Sequence, residues 1–153
     1  LVLIGRWGAG TRALEDHVRG HDRFGEQLFV HESISDGELQ WCYRRARALI
    51  FPSRAEGYGL PIVEAMQHGL PVFASDIAAH CEVGGSHCRF FDPTNPFELA
   101  QLVENFESQP RLAPSLASRT EGLPRWSDCV RELFTICLDC SADAARDGLA
   151  RAA

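Results

Sequence analysis

Short apolar runs alternate along the chain with stretches whose apolar residues recur at helical spacing. Leu1 to Gly5 (LVLIG) is a continuous apolar run closed by glycine, the pattern of a strand covered on both faces. Thr11 then stands where an N-cap would, Leu14 and Val18 fall on one face, and Gly20 closes the segment, so a helix is predicted there. Gln27 to His31 (QLFVH) reads as a second strand. Ser35 follows with Glu38 three residues on, a capping box, and Leu39, Cys42, Tyr43 and Ala46 keep helical spacing behind it.

The alternation continues. Ala48 to Pro52 (ALIFP) reads as a strand and LPIVEAMQHG as the next helix, with Pro61 suited to its first turn and Gly69 to its end. LPVFAS is a fourth strand and CRFFD a fifth. PFELAQLVENF is a helix with Leu99, Leu102, Val103 and Phe106 facing inward. RLAPSLASRTEG and SDCVRELFTICLDC are both helix-like, and the Ala-rich end frays. Strand and helix in strict alternation predict an α/β fold, a Rossmann-like parallel sheet flanked by helices. Residues 1–139 form one domain in this reading and residues 140–153 a tail. In such sheets ligands bind beyond the carboxyl ends of the strands.

Composition narrows the partners. The chain has 153 residues, 45% hydrophobic and 24% charged, enough for one real core and ordinary for a soluble domain. Its formal net charge of −6 supplies no overall basic field, so nucleic acid is not an expected partner. No apolar run reaches the roughly 20 residues of a membrane span, and the expected setting is cytoplasmic. Six cysteines show no framework spacing. The His80-Cys81 and His87-Cys88 pairs lack the tight Cys spacing of structural zinc, so reduced thiols and no metal are expected. His80 and His87 read as loop residues.

Chemistry concentrates between Pro52 and Asp76, PSRAEGYGLPIVEAMQHGLPVFASD. Gly57 and Gly59 let the backbone turn tightly and approach a ligand without a Cβ in the way. The amides of Tyr58, Gly59 and Leu60 then fall near a helix N-terminus, where unpaired N–H groups and the helix dipole favour an anion such as phosphate. Two carboxylates flank this anion site. Beside a diphosphate they would be repelled, so Glu56 and Glu64 are better placed to accept hydrogen bonds from sugar hydroxyls on either side. A nucleotide sugar offers hydroxyls at both ends, hexose and ribose, with the diphosphate between. By themselves Glu56 also reads as a helix-start carboxylate and Arg54 equally as a surface residue or a phosphate ligand.

EGYGLPIVE, followed by an AM-x-x-G-x-PV pattern, resembles the E-x₇-E motif of the retaining group 1 glycosyltransferases. The flanks resemble it too: ARALIFPS before, ASD and CEVGG after, and FFDPTNPFELAQLV beyond. The likeness runs from about Leu1 to Phe106. It implies the C-terminal half of a glycosyltransferase B-type (GT-B) fold, two Rossmann-like domains across a cleft. It places Glu56 by the transferred sugar, Glu64 on the ribose, and the backbone of Gly57, Tyr58, Gly59 and Leu60 on the phosphates and sugar hydroxyls. The base would lie over the loops after the early strands, at Arg6, Ser33 and Ile34. The resemblance implies no metal and no cofactor, a nucleotide-diphosphate sugar as donor, and a glycan or lipid-linked acceptor of surface polysaccharide synthesis.

Two departures bear on this. The family's diphosphate-gripping Arg and Lys lie upstream of where LVLIG aligns, leaving Arg6 or Arg54 as partial substitutes, and the N-terminal acceptor-binding domain with its catalytic His lies outside this sequence. That other half, in cis or in trans, is an expected partner, and any attachment to the inner membrane would run through it. A split or non-catalytic nucleotide-sugar-binding module is the alternative reading, with another user of nucleotide sugars such as an epimerase behind it. A nicotinamide-binding Rossmann domain is disfavoured, since no G-x-G-x-x-G follows the first strand.

Overall fold

The computed structural model describes residues 1–109, 127, 128 and 130–135. Over residues 1–109, five strands and five helices alternate: β1 Val2–Ile4, α1 Arg12–Arg19, β2 Phe29–His31, α2 Asp36–Arg45, β3 Leu49–Phe51, α3 Leu60–Gln67, β4 Val72–Ser75, α4 Ala78–Gly84, β5 Cys88–Phe91 and α5 Pro96–Glu107. Every strand pairing is parallel, and the strands fall into two ladders, β1-β2 and β3-β4-β5. The fold is α/β and Rossmann-like, as the alternation requires. Residues 127, 128 and 130–135 are helical, in the stretch read as helix-like, whereas RLAPSLASRTEG and the Ala-rich tail lie outside the described residues.

β4 lies between β3 and β5, and all four of its residues are buried, which is why Leu70 to Ser75 reads as a nearly unbroken apolar run. The core gathers around it: Tyr43 from α2, Ile62, Ala65 and Met66 from α3, Leu70, Val72, Ala74 and Cys88. Burial, with Cys81 adding to it, pushes the Cys88 thiol up to about 11. Phe106 of α5 meets Phe73 of β4 edge-on, ring centroids 5.4 Å apart.

Helix ends match the sequence in detail. Ser35 closes the capping box, its Oγ accepting from the Glu38 amide while its own amide donates to Glu38 Oε2 at 2.7 Å. α3 ends in a Schellman turn: Leu70 N donates to Ala65 O and Gly69 N to Met66 O, both at 2.9 Å, with Gly69 at φ +68°. Asp92 opens the way into α5 by accepting from both the amide and the hydroxyl of Thr94 at 2.7 Å, which holds its carboxyl below the usual range. The DP-T-N-P stretch is therefore a structural turn.

The structure corrects four expectations. β1 is not covered on both faces, since Val2 is 46% and Ile4 44% exposed. Leu14 is 55% exposed, because α1 is mostly polar and buries Val18 alone. Thr11 spends its hydroxyl on Gly8 O rather than on a cap. His80 is a fully buried residue of α4, not of a loop. α4 escaped notice because its N-cap is Ile77, which offers no capping oxygen, and because a histidine in its buried stripe masks the apolar pattern. His87 is exposed and lies in the single 3₁₀ turn, Gly85–His87, that follows.

Two glycines test this packing by different mechanisms. A Cβ on Gly84 would overlap Cys88 Sγ and stand 3.0 Å from Cys88 Cβ, so Gly84→Ala should lower the unfolding free energy by about 3 kcal/mol through overpacking. A Cβ on Gly59 would meet His80 Cδ2 and Ile62 Cδ1 at an ordinary 3.4 Å, but φ is +90° there. Gly59→Ala should therefore cost about 1 kcal/mol, from backbone strain alone. Urea denaturation followed by circular dichroism measures both. A Gly84→Ala chain as stable as the wild type contradicts the packing of α4 on β5.

Candidate functional site

The loop from Pro52 to Gly59 leaves the carboxyl end of β3 and feeds α3, so the segment singled out in the sequence sits at the ligand-binding edge of a parallel ladder. Gly59 is the N-cap of α3 and adopts the left-handed conformation, which only glycine takes without strain. It supplies no side-chain cap. The first helix-opening bond is Ile62 N to Gly59 O at 2.9 Å, and Pro61 has no N–H to satisfy. Among the described residues, no protein acceptor takes the amides of Gly57, Tyr58, Gly59 or Leu60. A helix N-terminus left uncapped by its own chain presents bare donors and the positive end of its dipole, the arrangement that holds phosphate.

The two acids stand on either side of this turn, and each is held by a hydroxyl. Ser53 Oγ donates to Glu56 Oε1 at 2.7 Å, fixing an otherwise exposed loop carboxylate. Tyr43 OH donates to Glu64 Oε2 at 2.8 Å from the last turn of α2. Burial, and then the Glu64 carboxylate, raise the Tyr43 phenol far above its ordinary value, so it stays a donor. The second oxygens, Glu56 Oε2 and Glu64 Oε1, take no hydrogen bond among the described residues. Each acid is oriented and still able to accept.

The remaining residues named from sequence divide into two groups. Arg54, Tyr58 and Leu60 are exposed in or beside the same loop, and Arg54 has no ion-pair partner among the described residues. Arg6, Ser33 and Ile34 follow the carboxyl ends of β1 and β2, which Gly5 N joins by donating to His31 O at 3.0 Å. Arg6 and Ser33 are exposed and Ile34 is half-buried. No hydrogen bond or ion pair among the described residues ties these three to the β3–α3 loop. Beside Arg6, the buried Trp7 Nε1 has no hydrogen-bond partner among the described residues.

Sequence reasoning missed His80. Its Nδ1 lies 3.0 Å from the Ser75 carbonyl, which can only accept, so Nδ1 carries the proton. The ring packs against Phe51 at 5.0 Å and beneath Gly59, and its buried Nε2 finds no partner among the described residues. His80 is the floor of the turn at Gly59. The two-residue spacing of His80 from Ala78 and of Glu82 from His80 gives no signal of this; only the three-dimensional approach of α4 to α3 does. Among the described residues, no three His, Cys, Asp or Glu side chains converge as a metal site requires.

The family model of the glycosyl transferases group 1 matches residues 1–122. The chain is similar to the serotype-specific mannosyltransferase WbdA of Escherichia coli, 38% identical over 106 residues, which are 69% of this chain and 13% of that protein. It is similar also to the O-antigen chain mannosyltransferase RfbU of Salmonella typhimurium, 37% identical over 54% of this chain and 23% of that one. Both relatives are thus several times longer than the stretch they share with it. In fold it resembles sucrose-phosphate synthase of Thermosynechococcus elongatus, with a TM-score of 0.79 and 24% identity, covering 94% of this chain and 39% of that chain. That likeness concerns architecture alone, and the architecture is one half of a GT-B fold. With more than two thirds of its length matched, this chain belongs to the group 1 glycosyltransferases.

Proposed function

We propose that this chain is the donor-binding part of a retaining glycosyltransferase that takes a sugar from a nucleoside diphosphate to a glycan or lipid-linked acceptor in surface polysaccharide assembly. The observation that carries the reading is the uncapped turn at Tyr58, Gly59 and Leu60, with a hydroxyl-held carboxylate on each flank. The names of the two relatives, a serotype-specific mannosyltransferase and an O-antigen chain mannosyltransferase, make a mannose donor the first to try.

In this reading the diphosphate lies on the loop amides, and residues 1–139 act as its binding domain. Transfer joins an acceptor hydroxyl oxygen to the anomeric carbon and breaks the bond from that carbon to the diphosphate. The bonding pair leaves with the diphosphate oxygen, which also takes the acceptor hydroxyl's proton, and the amides and the helix dipole are already aimed at the charge that develops. Such preorganised donors are worth more than equivalent groups in water, because they need no reorientation as the bond breaks. Glu56 accepts from the transferred sugar and faces the positive charge on its ring. Glu64 accepts from the ribose, and Arg54 and Arg6 supply local positive charge. The base lies along the β1 and β2 loops, near Ser33 and Ile34. An acceptor-binding domain completes the cleft and carries any attachment to a membrane surface; no helix among the described residues is long and apolar enough to cross one.

The roles of the two acids separate in a binding and transfer experiment. Glu64→Gln should weaken nucleoside diphosphate binding roughly tenfold, the worth of one hydrogen bond to a charged group. Glu56→Gln should leave that affinity nearly unchanged and lower the transfer rate about a hundredfold once the acceptor-binding half is supplied. Calorimetry with guanosine and uridine diphosphates and a radiolabelled sugar-transfer assay measure these. No heat with any nucleoside diphosphate or nucleotide sugar, from a folded chain, overturns the reading. Binding without transfer beside the other half leaves a non-catalytic donor module.

A further inference from the structure

We propose that Tyr43 is a positioning residue: it locks Glu64 so that this site distinguishes a ribonucleotide from its deoxy counterparts. The inference rests on Glu64 as the ribose acceptor and adds to it a residue that never touches the ligand.

Tyr43 belongs to α2 and Glu64 to α3, so the 2.8 Å bond between them ties two helices that are 21 positions apart in sequence at these residues. The tyrosine is 6% exposed and cannot swing away. Its ring stacks on His68, centroids 5.6 Å apart and planes inclined by 11°. His68 in turn is held by Gln40 Oε1, 2.7 Å from Nε2, and Gln40 lies one turn before Tyr43 on α2. The chain of contacts closes on itself: Gln40, His68, Tyr43, Glu64. Only the last of these is placed to meet a ligand.

A glutamate on a helix surface has three rotatable side-chain torsions, and ordering it on binding costs affinity. Here the bond from a buried phenol supplies part of that ordering before any ligand arrives. With Oε2 bonded to the phenol, the plane of the carboxylate is set and Oε1 keeps its full accepting capacity for a hydroxyl. A rigid acceptor rejects an analogue that lacks the hydroxyl, because the buried side of the pair stays unmatched; a mobile one turns to water instead. The difference between the two is discrimination rather than bulk affinity.

Tyr43→Phe keeps the ring and its stack on His68 and removes only the donor. Calorimetry on the 153-residue chain would compare guanosine and uridine diphosphates with their 2′-deoxy and 3′-deoxy forms, for wild type, Tyr43→Phe, Glu64→Gln and the double variant. Tyr43→Phe should weaken ribonucleotide binding roughly tenfold and leave the weaker deoxy form nearly unchanged, so that their ratio collapses. The double variant should bind no worse than Glu64→Gln, since Tyr43 acts only through Glu64. An unchanged ratio, or losses that add in the double variant, overturns the proposal and leaves Tyr43 a packing residue. Should Tyr43→Phe fail to fold, His68→Leu frees the ring while keeping the hydroxyl; a lowered ratio supports the proposal and an unaltered one defeats it. If the wild type binds the diphosphates without telling ribose from deoxyribose, the role of Glu64 itself is wrong, an outcome distinct from a failure of Tyr43 alone.

Discussion

The structure turns on a backbone conformation. Gly59 sits at φ +90°, and that left-handed residue brings the chain off β3 and into α3 without spending a side chain on the helix end. A serine or aspartate caps a helix from an extended backbone, and at φ +90° either would be strained, so this helix end goes without a side-chain cap. Glycine leaves the amides open. The stability that a cap would give is replaced by burial: Ile62, Ala65 and Met66 of α3 are almost completely enclosed, so the helix is held by its packing and not by its start.

Around that turn the protein supplies order where a ligand would otherwise have to impose it. Ser53 holds Glu56, Tyr43 holds Glu64, and His80 supports Gly59 from below. These three supports come from the strand-exit loop before the turn, the helix preceding β3 and the helix following β4. None of them is a neighbour of the turn in sequence except Ser53. A site assembled this way is set to within the precision of a core, because its second layer is the core: Tyr43 and His80 are both buried.

Much of this was legible in the sequence because it is local. The capping box at Ser35, the Pro61 and Gly69 that bracket α3, and the unbroken apolar run of β4 each follow from residues within a few positions of one another. The open turn was legible too, since the two glycines and the proline are contiguous with it. What could not be read was long-range or disguised. The helix α4 starts without a polar cap, and a histidine occupies its buried face, so its pattern is broken at the position that matters most. The Tyr43 to Glu64 bond spans 21 residues and depends on how α2 docks against α3, which no periodicity reports. Leu14 departs from its pattern for the opposite reason: it is an apolar residue at a helical interval that the fold leaves in water.

The central claim, that bare amides at the head of α3 receive a diphosphate, is tested most directly by amide chemical shifts. Proton–nitrogen correlation spectra recorded while guanosine or uridine diphosphate is added should show the largest saturable changes at Tyr58, Gly59 and Leu60. Methylene diphosphonate, which lacks base and ribose, should move the same three amides at higher concentration. Spectra in which those amides stay still while another helix start or an arginine cluster responds would contradict the account.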